Sequence, residues 1–167
     1  PMRRDLLPSP SGPLRVTTDD DHVLRVELGA RGGADRGRPS PLAREALLQL
    51  RDYFAGRRTS FTLPWRLDLT EFQQRVLGRV ARIPWGTVLT YGEVAAEIGH
   101  PRAARAVGQA LGANPLAVVI PCHRVIAGDG GLGGFGAGLR WKRALLALEG
   151  VEAGATPRKR ATGRARG

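Results

Sequence analysis

Apolar and polar positions alternate with period two at Leu14-Arg15-Val16 and again over Val23-Leu24-Arg25-Val26-Glu27-Leu28, which predicts two short strands. Asp19-Asp20-Asp21 between them predicts a solvated turn. Residues 29–39 are rich in Gly, Arg and Pro and read as loop. The period then changes. Ser40-Pro41 is an N-cap followed by proline at the first helical position, and Leu42, Ala46, Leu47, Leu50 and Phe54 supply one apolar stripe before Gly56 stops the helix. Residues 57–69 are a connector of short extended pieces around Pro64. These features define a small N-terminal α+β unit over residues 1–66.

Residues 67–150 read as mostly helical. Thr70-Glu71-Phe72-Gln73 has the capping-box pattern, and Phe72, Val76, Val80 and Ile83 lie on one face until Pro84. Thr90-Tyr91-Gly92-Glu93 is a second box, opening a short helix through Ile98 that Gly99 ends. Pro101 starts another helix, predicted from Arg102 to about Leu111, with Gly112 as its stop. Two short helices joined by a Gly-containing turn form a helix-turn-helix pattern. Arg102, Arg105 and Gln109 make the polar stripe of the second helix, and Ala103, Val107, Ala110 and Leu111 its buried stripe. Ala104 and Gly108 leave a third face nearly bare. Small residues beside arginine suit close approach to a nucleic-acid groove. Tight helix packing beside solvated arginines is the other use of the same pattern.

Composition narrows the classes. Hydrophobic residues make up 42% of the 167, enough for a core. The 26 Lys+Arg exceed the 15 Asp+Glu by 11, which points to a polyanionic partner. Only Lys142 and Lys159 are lysines. One cysteine excludes an intramolecular disulfide framework and a multi-cysteine zinc site, so no metal is expected. No apolar run approaches the roughly 18 residues of a membrane span, and Pro1 to Pro8 contain no apolar signal core. A soluble cytoplasmic protein, nuclear in a eukaryote, is expected, with no membrane and no obligate protein partner. Residues 151–167 are Ala/Gly/Arg-rich without periodicity and predict a disordered basic tail, either adding phosphate affinity or without a role.

The chemistry-bearing segment follows Asn114-Pro115. Leu116-Ala117-Val118-Val119-Ile120 is a wholly apolar run that predicts a buried strand delivering Pro121-Cys122-His123-Arg124. A thiol must lose its proton to become a nucleophile, and a neighbouring imidazole raises the thiolate fraction. Adjacent Cys and His diverge on a strand but can converge in a turn at its end. Gly128 to Gly138 is a glycine-rich loop with one aromatic, Phe135, able to offer backbone amides to a planar ligand while the ring packs on its face. A closing helix is predicted over Leu139–Leu148, and Glu149 sits at its C-terminal end, where the helix dipole disfavours a carboxylate. Glu149 therefore calls for a partner, and a nearby imidazolium would serve.

Ile120-Pro121-Cys122-His123-Arg124-Val125 resembles the active-site motif of the O6-alkylguanine-DNA alkyltransferases, or methylated-DNA–protein-cysteine methyltransferases. The resemblance extends through Phe72-Gln73, Ile83-Pro84-Trp85-Gly86, Thr90-Tyr91-Gly92, Ala103 to Gly108, Asn114-Pro115 and Leu145 to Gly150, with weaker echoes in Ser9 to Leu14 and Tyr53-Phe54-Ala55-Gly56.

This resemblance implies an α+β protein with a small ribonuclease-H-like N-terminal domain and a winged-helix-type C-terminal domain. It implies direct, irreversible, self-inactivating transfer of an alkyl group from O6-alkylguanine, and also O4-alkylthymine, in double-stranded DNA to Cys122, without a cofactor. His123 would deprotonate the thiol through a water, Glu149 would orient and charge the histidine, Tyr91 would protonate the leaving guanine, and Asn114 would brace the turn beside the cysteine. Thr90, Arg102, Ala103, Ala104, Arg105 and Gly108 would meet DNA, Arg105 filling the gap left by the flipped base. Leu132, Phe135, Gly136 and Ala137 would wall the guanine pocket. Phe135 stands where the family usually has Tyr, and Ala137 where many members have Gly, implying a lost hydroxyl and a narrower entrance. The rival reading is a helix-turn-helix DNA-binding protein with a structural cysteine.

Overall fold

The computed structural model describes residues 2–152 of the chain. Of the expected tail 151–167, everything beyond Glu152 lies outside the described residues.

The N-terminal unit is an antiparallel sheet of β1 (Arg3–Leu7), β2 (Leu14–Thr18) and β3 (Val23–Leu28) in the order β1-β2-β3, covered by α1 (Pro41–Phe54). Register pairs Leu7 with Leu14, Leu14 with Leu28 and Val16 with Val26. The alternation seen in the sequence is the burial pattern: Leu14, Val16, Val23 and Val26 face α1, whose Ala43, Ala46, Leu50 and Tyr53 are fully buried. Ser40 caps α1 by accepting from the Ala43 amide at 3.1 Å. β1 is an addition to the predicted strands. Its charged start, Arg3-Arg4-Asp5, has no apolar alternation, but it is an edge strand where charge is tolerated, and Arg3 bonds both oxygens of the buried Asp5.

The C-terminal unit comprises α2 (Glu71–Val80), β4 (Leu89–Thr90), α3 (Tyr91–Glu97), α4 (Ala104–Gly112), a 3₁₀ turn at Cys122–Arg124, β5 (Val125–Ile126) and α5 (Leu139–Leu148). β4 and β5 pair in parallel, fixing Tyr91 and the Cys122 turn side by side. Both capping boxes form at Thr70 and Thr90. The helix predicted from Arg102 begins instead at Ala104: its N-cap is Ala103, which has no oxygen to hold an earlier turn, and Arg102 stays in the preceding turn.

The apolar run 116–120 is not a strand. Ile120 N–H bonds to Leu116 O at 2.9 Å and Val119 N–H to Ala117 O at 2.8 Å, so the run folds back on itself with Val118 at φ +73°. β3 meets it only in a single bridge between Val26 and Leu116, and beyond that point its buried polar groups are satisfied locally and by Asn114, whose side chain accepts from Leu116 N–H and donates to Ile120 O. A β-branched residue in the left-handed region is a strained position, held by burial on every side.

One apolar core runs through both units, from Leu14 and Val16 through Leu50 and Tyr53 to Val76, Val107, Ile120 and Leu145. Backbone bonds join them as well: Val26 N–H donates to Pro115 O at 2.8 Å. Among the described residues no helix is long and apolar enough to cross a membrane.

Candidate active site

Cys122 opens the 3₁₀ turn and is 9% exposed, at the floor of a groove of about 1280 Å³. Thr90 and Tyr91 at the start of α3 and Ala104, Arg105 and Gly108 on α4 form one wall. The opposite wall runs from Gly134 to Ala137. Asn114 also lines it, and its amide beside Cys122 stabilises the thiolate. Burial nevertheless pushes the Cys122 thiol up, against that amide and the Lys142 charge. The resting group is a thiol that needs a base.

A histidine follows it in the turn. His123 is fully buried, and its Nε2 is 2.8 Å from Glu149 Oε2. A carboxylate can only accept, so Nε2 carries the proton and Nδ1 the lone pair. Nδ1 is buried and has no hydrogen-bond partner among the described residues. Burial depresses the His123 pKa, partly offset by Glu149, which leaves a neutral imidazole at neutral pH.

Glu149 has more partners than its position at a helix end required. Arg124 forks onto it, Nε to Oε1 at 2.7 Å and Nη2 to Oε2 at 2.8 Å, and Tyr53 donates its hydroxyl to Oε2 at 2.5 Å. Burial works to raise the Glu149 carboxyl, but hydrogen bonds from His123 and Arg124 outweigh it and hold the pKa at about 2.

In front of Cys122, Tyr91 is fitted against the glycine loop. A Cβ at Gly133 would stand 2.5 Å from the Tyr91 hydroxyl, so this residue must lack one, and its φ of +75° demands glycine independently. Burial pushes the Tyr91 phenol up while the Gly134 amide opposes it. Beneath the loop, Lys142 on α5 is fully buried and donates to Val125 O at 2.8 Å, Leu132 O at 2.5 Å and Gly134 O at 3.1 Å. Its ammonium also lies 5.8 Å from the Tyr91 ring centroid and 5.9 Å from that of Phe135. Burial lowers its pKa to about 8.

The structure thus brings Cys122, Tyr91, Asn114, Thr90, Ala104, Arg105, Gly108, Phe135, Gly136 and Ala137 to one groove, with His123 and Glu149 behind it. Arg102, Ala103 and Leu132 do not line it. Leu132 contributes its carbonyl to Lys142 instead. Sequence reasoning missed Tyr53, Lys142 and the link from Arg124 to Glu149. Lys142 had a signal: in a chain whose basic residues are otherwise almost all arginine, a lysine marks a place where three convergent carbonyls need a compact ammonium.

A buried cysteine opening onto a groove beside a helix-turn-helix, with a histidine–carboxylate pair behind it, defines a thiol-activating protein built on a nucleic-acid-binding scaffold. Comparison with known proteins narrows this. Residues 2–67 match the ribonuclease-like domain of 6-O-methylguanine DNA methyltransferase, and residues 71–151 match its DNA-binding domain. The chain belongs to the 6-O-methylguanine DNA methyltransferase family. The methylated-DNA–protein-cysteine methyltransferase of Mycobacterium bovis is 53% identical over 104 residues, 62% of this chain, and the match spans 63% of that relative's length. The protein of the same name from Methanosarcina acetivorans is 41% identical over 148 residues, covering 85% of this chain and 94% of the relative. The crystal structure of Mycobacterium tuberculosis O6-methylguanine methyltransferase superposes with a TM-score of 0.79 at 41% identity, covering 89% of this chain and 93% of the other. A Mycobacterium tuberculosis structure in complex with DNA gives the same TM-score over 90% and 96%.

Proposed function

We propose that this chain repairs DNA by transferring the alkyl group of O6-alkylguanine to its own Cys122. The observation that carries this reading is the two-sided placement of Cys122, open to the groove beside α4 and backed by the buried His123–Glu149 pair. The thiol proton passes through a water to His123 Nδ1. The thiolate attacks the alkyl carbon, an S–C bond forms, and the C–O6 bond breaks with its electron pair left on the base. The Tyr91 phenol protonates that base and is restored by the histidine's proton, so the net transfer is one alkyl to sulfur and one proton to guanine. Glu149 stabilises the transient imidazolium.

DNA enters through α4. Arg105 and the small Ala104 and Gly108 face the groove, a surface that lets backbone approach a duplex while one arginine takes the place of an extruded base. Arg102, outside the groove, acts on phosphates. Phe135 and Ala137 wall the base pocket.

The thioether product is a poor leaving group, and the chain has no second cysteine to receive the alkyl group. The test is intact mass after exposure to an O6-methylguanine duplex. One methyl per chain, mapped to Cys122 and absent in Cys122→Ser, is expected. Product beyond one equivalent, or methyl on another residue, contradicts the reading. Arg105→Ala should slow transfer from duplex DNA much more than from free alkylguanine base. Unmodified DNA binding by a chain unable to accept methyl supports the rival reading of Cys122 as structural.

A further inference from the structure

Tyr53 lies on α1 in the N-terminal unit, 96 residues before Glu149, and its hydroxyl reaches the same carboxylate oxygen that holds His123. We propose that Tyr53 is a positioning residue for the transfer reaction: its hydroxyl locks the Glu149 carboxylate in the rotation that presents Oε2 to His123, so the N-terminal unit completes the active site. This rests on the reading of Cys122, His123 and Glu149 given above.

Three features support the proposal. First, the hydroxyl direction is fixed. The Tyr53 ring is fully buried and touches Phe54, Phe61 and Trp85 at centroid distances of 5.1, 5.7 and 5.4 Å. Second, packing alone does not require the oxygen. Phenylalanine fills that aromatic cage equally, whereas a buried hydroxyl is tolerated only with a partner. Third, the carboxylate has competing donors. Arg124 already bonds both oxygens, and the Gly86 amide stands 3.5 Å from Oε1. The arginine fork alone can hold Glu149 after a small rotation that takes Oε2 away from the imidazole. A second donor on Oε2 from the opposite domain opposes that rotation.

The charged and titratable groups around the imidazole are Arg124 beside it in the turn, Lys142 and Glu149 on and after α5, Tyr53 on α1, and Cys122. Only Glu149 stabilises the protonated ring. By holding Oε2 against the ring, the Tyr53 hydroxyl sustains the histidine's basicity. Without it Oε2 turns away, the ring loses the contact that sustains its basicity, and the acid limb of the transfer rate moves to lower pH.

The experiment is single-turnover transfer from O6-methylguanine duplex by the full chain carrying Tyr53→Phe, across pH, with Glu149→Gln and Trp85→Phe in parallel. Transfer at neutral pH should fall about five- to tenfold, part of the worth of a hydrogen bond to a charged group. The acid limb should shift downward, and duplex affinity should not change. Trp85→Phe, which loosens the cage but keeps the hydroxyl, should leave the pH profile in place. If Glu149→Gln slows transfer but Tyr53→Phe leaves rate and profile unchanged, Tyr53 is structural and the proposal is overturned. If Glu149→Gln itself has no effect, the underlying relay fails and the proposal with it. If Tyr53→Phe does not fold, the unmodified chain supplies the readout. The proton resonance of the Tyr53 hydroxyl should follow the His123 titration, and a resonance indifferent to it overturns the proposal.

Discussion

The two sides of Cys122 are built from different materials. Behind it, the polar groups are buried side chains, the charged Arg124 and Glu149 with the neutral His123 and Tyr53, drawn from the 3₁₀ turn, the end of α5 and α1. In front, the wall from Gly134 to Ala137 is largely backbone, and the deep charge beneath it, Lys142, is spent on loop carbonyls. Buried charges in a low-dielectric setting hold a proton path in one geometry, because each unpaired group is costly. A glycine-rich wall lets a planar base approach closely and costs little to adjust. On the proposed reading, activation of the thiol and recognition of the base draw on different sides, and substitutions on the two sides should report different quantities.

The largest expected effect is on the buried side. Arg124→Met leaves a buried carboxylate with one fewer charge partner, and the loss of unfolding free energy should be about 3–5 kcal/mol, read from urea titration. A loss near that of a surface arginine contradicts the cluster's role in stability. Next is Glu149. Its carboxyl has an ordinary value of 4.5 and sits at about 2 in the fold, so its stabilising contribution is complete above the ordinary value and is lost as pH falls through about 2. The size is on the order of 3 kcal/mol. Unfolding free energy measured from pH 6 downward should fall less steeply in Glu149→Gln than in the parent chain, and parallel curves would count against the assignment.

On the open side the effects are smaller. Gly133→Ala meets both a positive φ and the Tyr91 hydroxyl, and should cost about 1–2 kcal/mol of stability. It should also slow transfer while leaving Cys122 reactive toward a small haloacetamide. Equal slowing toward both reagents would mean that Gly133 matters to the thiol and not to Tyr91. The smallest change is Phe135→Tyr, which adds a hydroxyl at the groove. Transfer should move by about threefold or less, no more than one neutral hydrogen bond. Phe135→Ala, which removes a pocket wall, should do more.

Much of this division was legible beforehand. The capping boxes at Thr70 and Thr90, the Ser40 cap of α1 and the Cys122-His123 turn are local patterns, and each formed where the residues predicted. The predicted stripe of α1 holds only at Ala46 and Leu50, and the buried face takes Ala43, Gln49 and Tyr53 in place of Leu42, Leu47 and Phe54. The carboxylate at the end of α5 was also legible as a group in need of a partner, and His123 answers it. The failures have physical causes. The run 116–120 looks like a strand because hydrophobicity reports burial, and burial is true of it. Whether a buried apolar run is extended depends on a neighbouring strand, which its own residues cannot supply. α4 starts late because a missing cap is a weaker signal than the proline that precedes it.

What the sequence by itself determined is therefore the inventory: which stretches are helical, which faces are buried, and that one thiol stands next to one imidazole at the mouth of a glycine-rich loop. Only the tertiary structure decided who meets whom. Tyr53 comes to Glu149 across 96 residues because α1 packs its fully buried face onto a core shared by both units. Lys142 turns inward because three carbonyls of one folded loop converge on it. Periodicity along a chain encodes distance from water, one coordinate per residue. The direction of a hydroxyl or an ammonium toward a distant acceptor is set by how whole elements dock, and no local pattern carries that information.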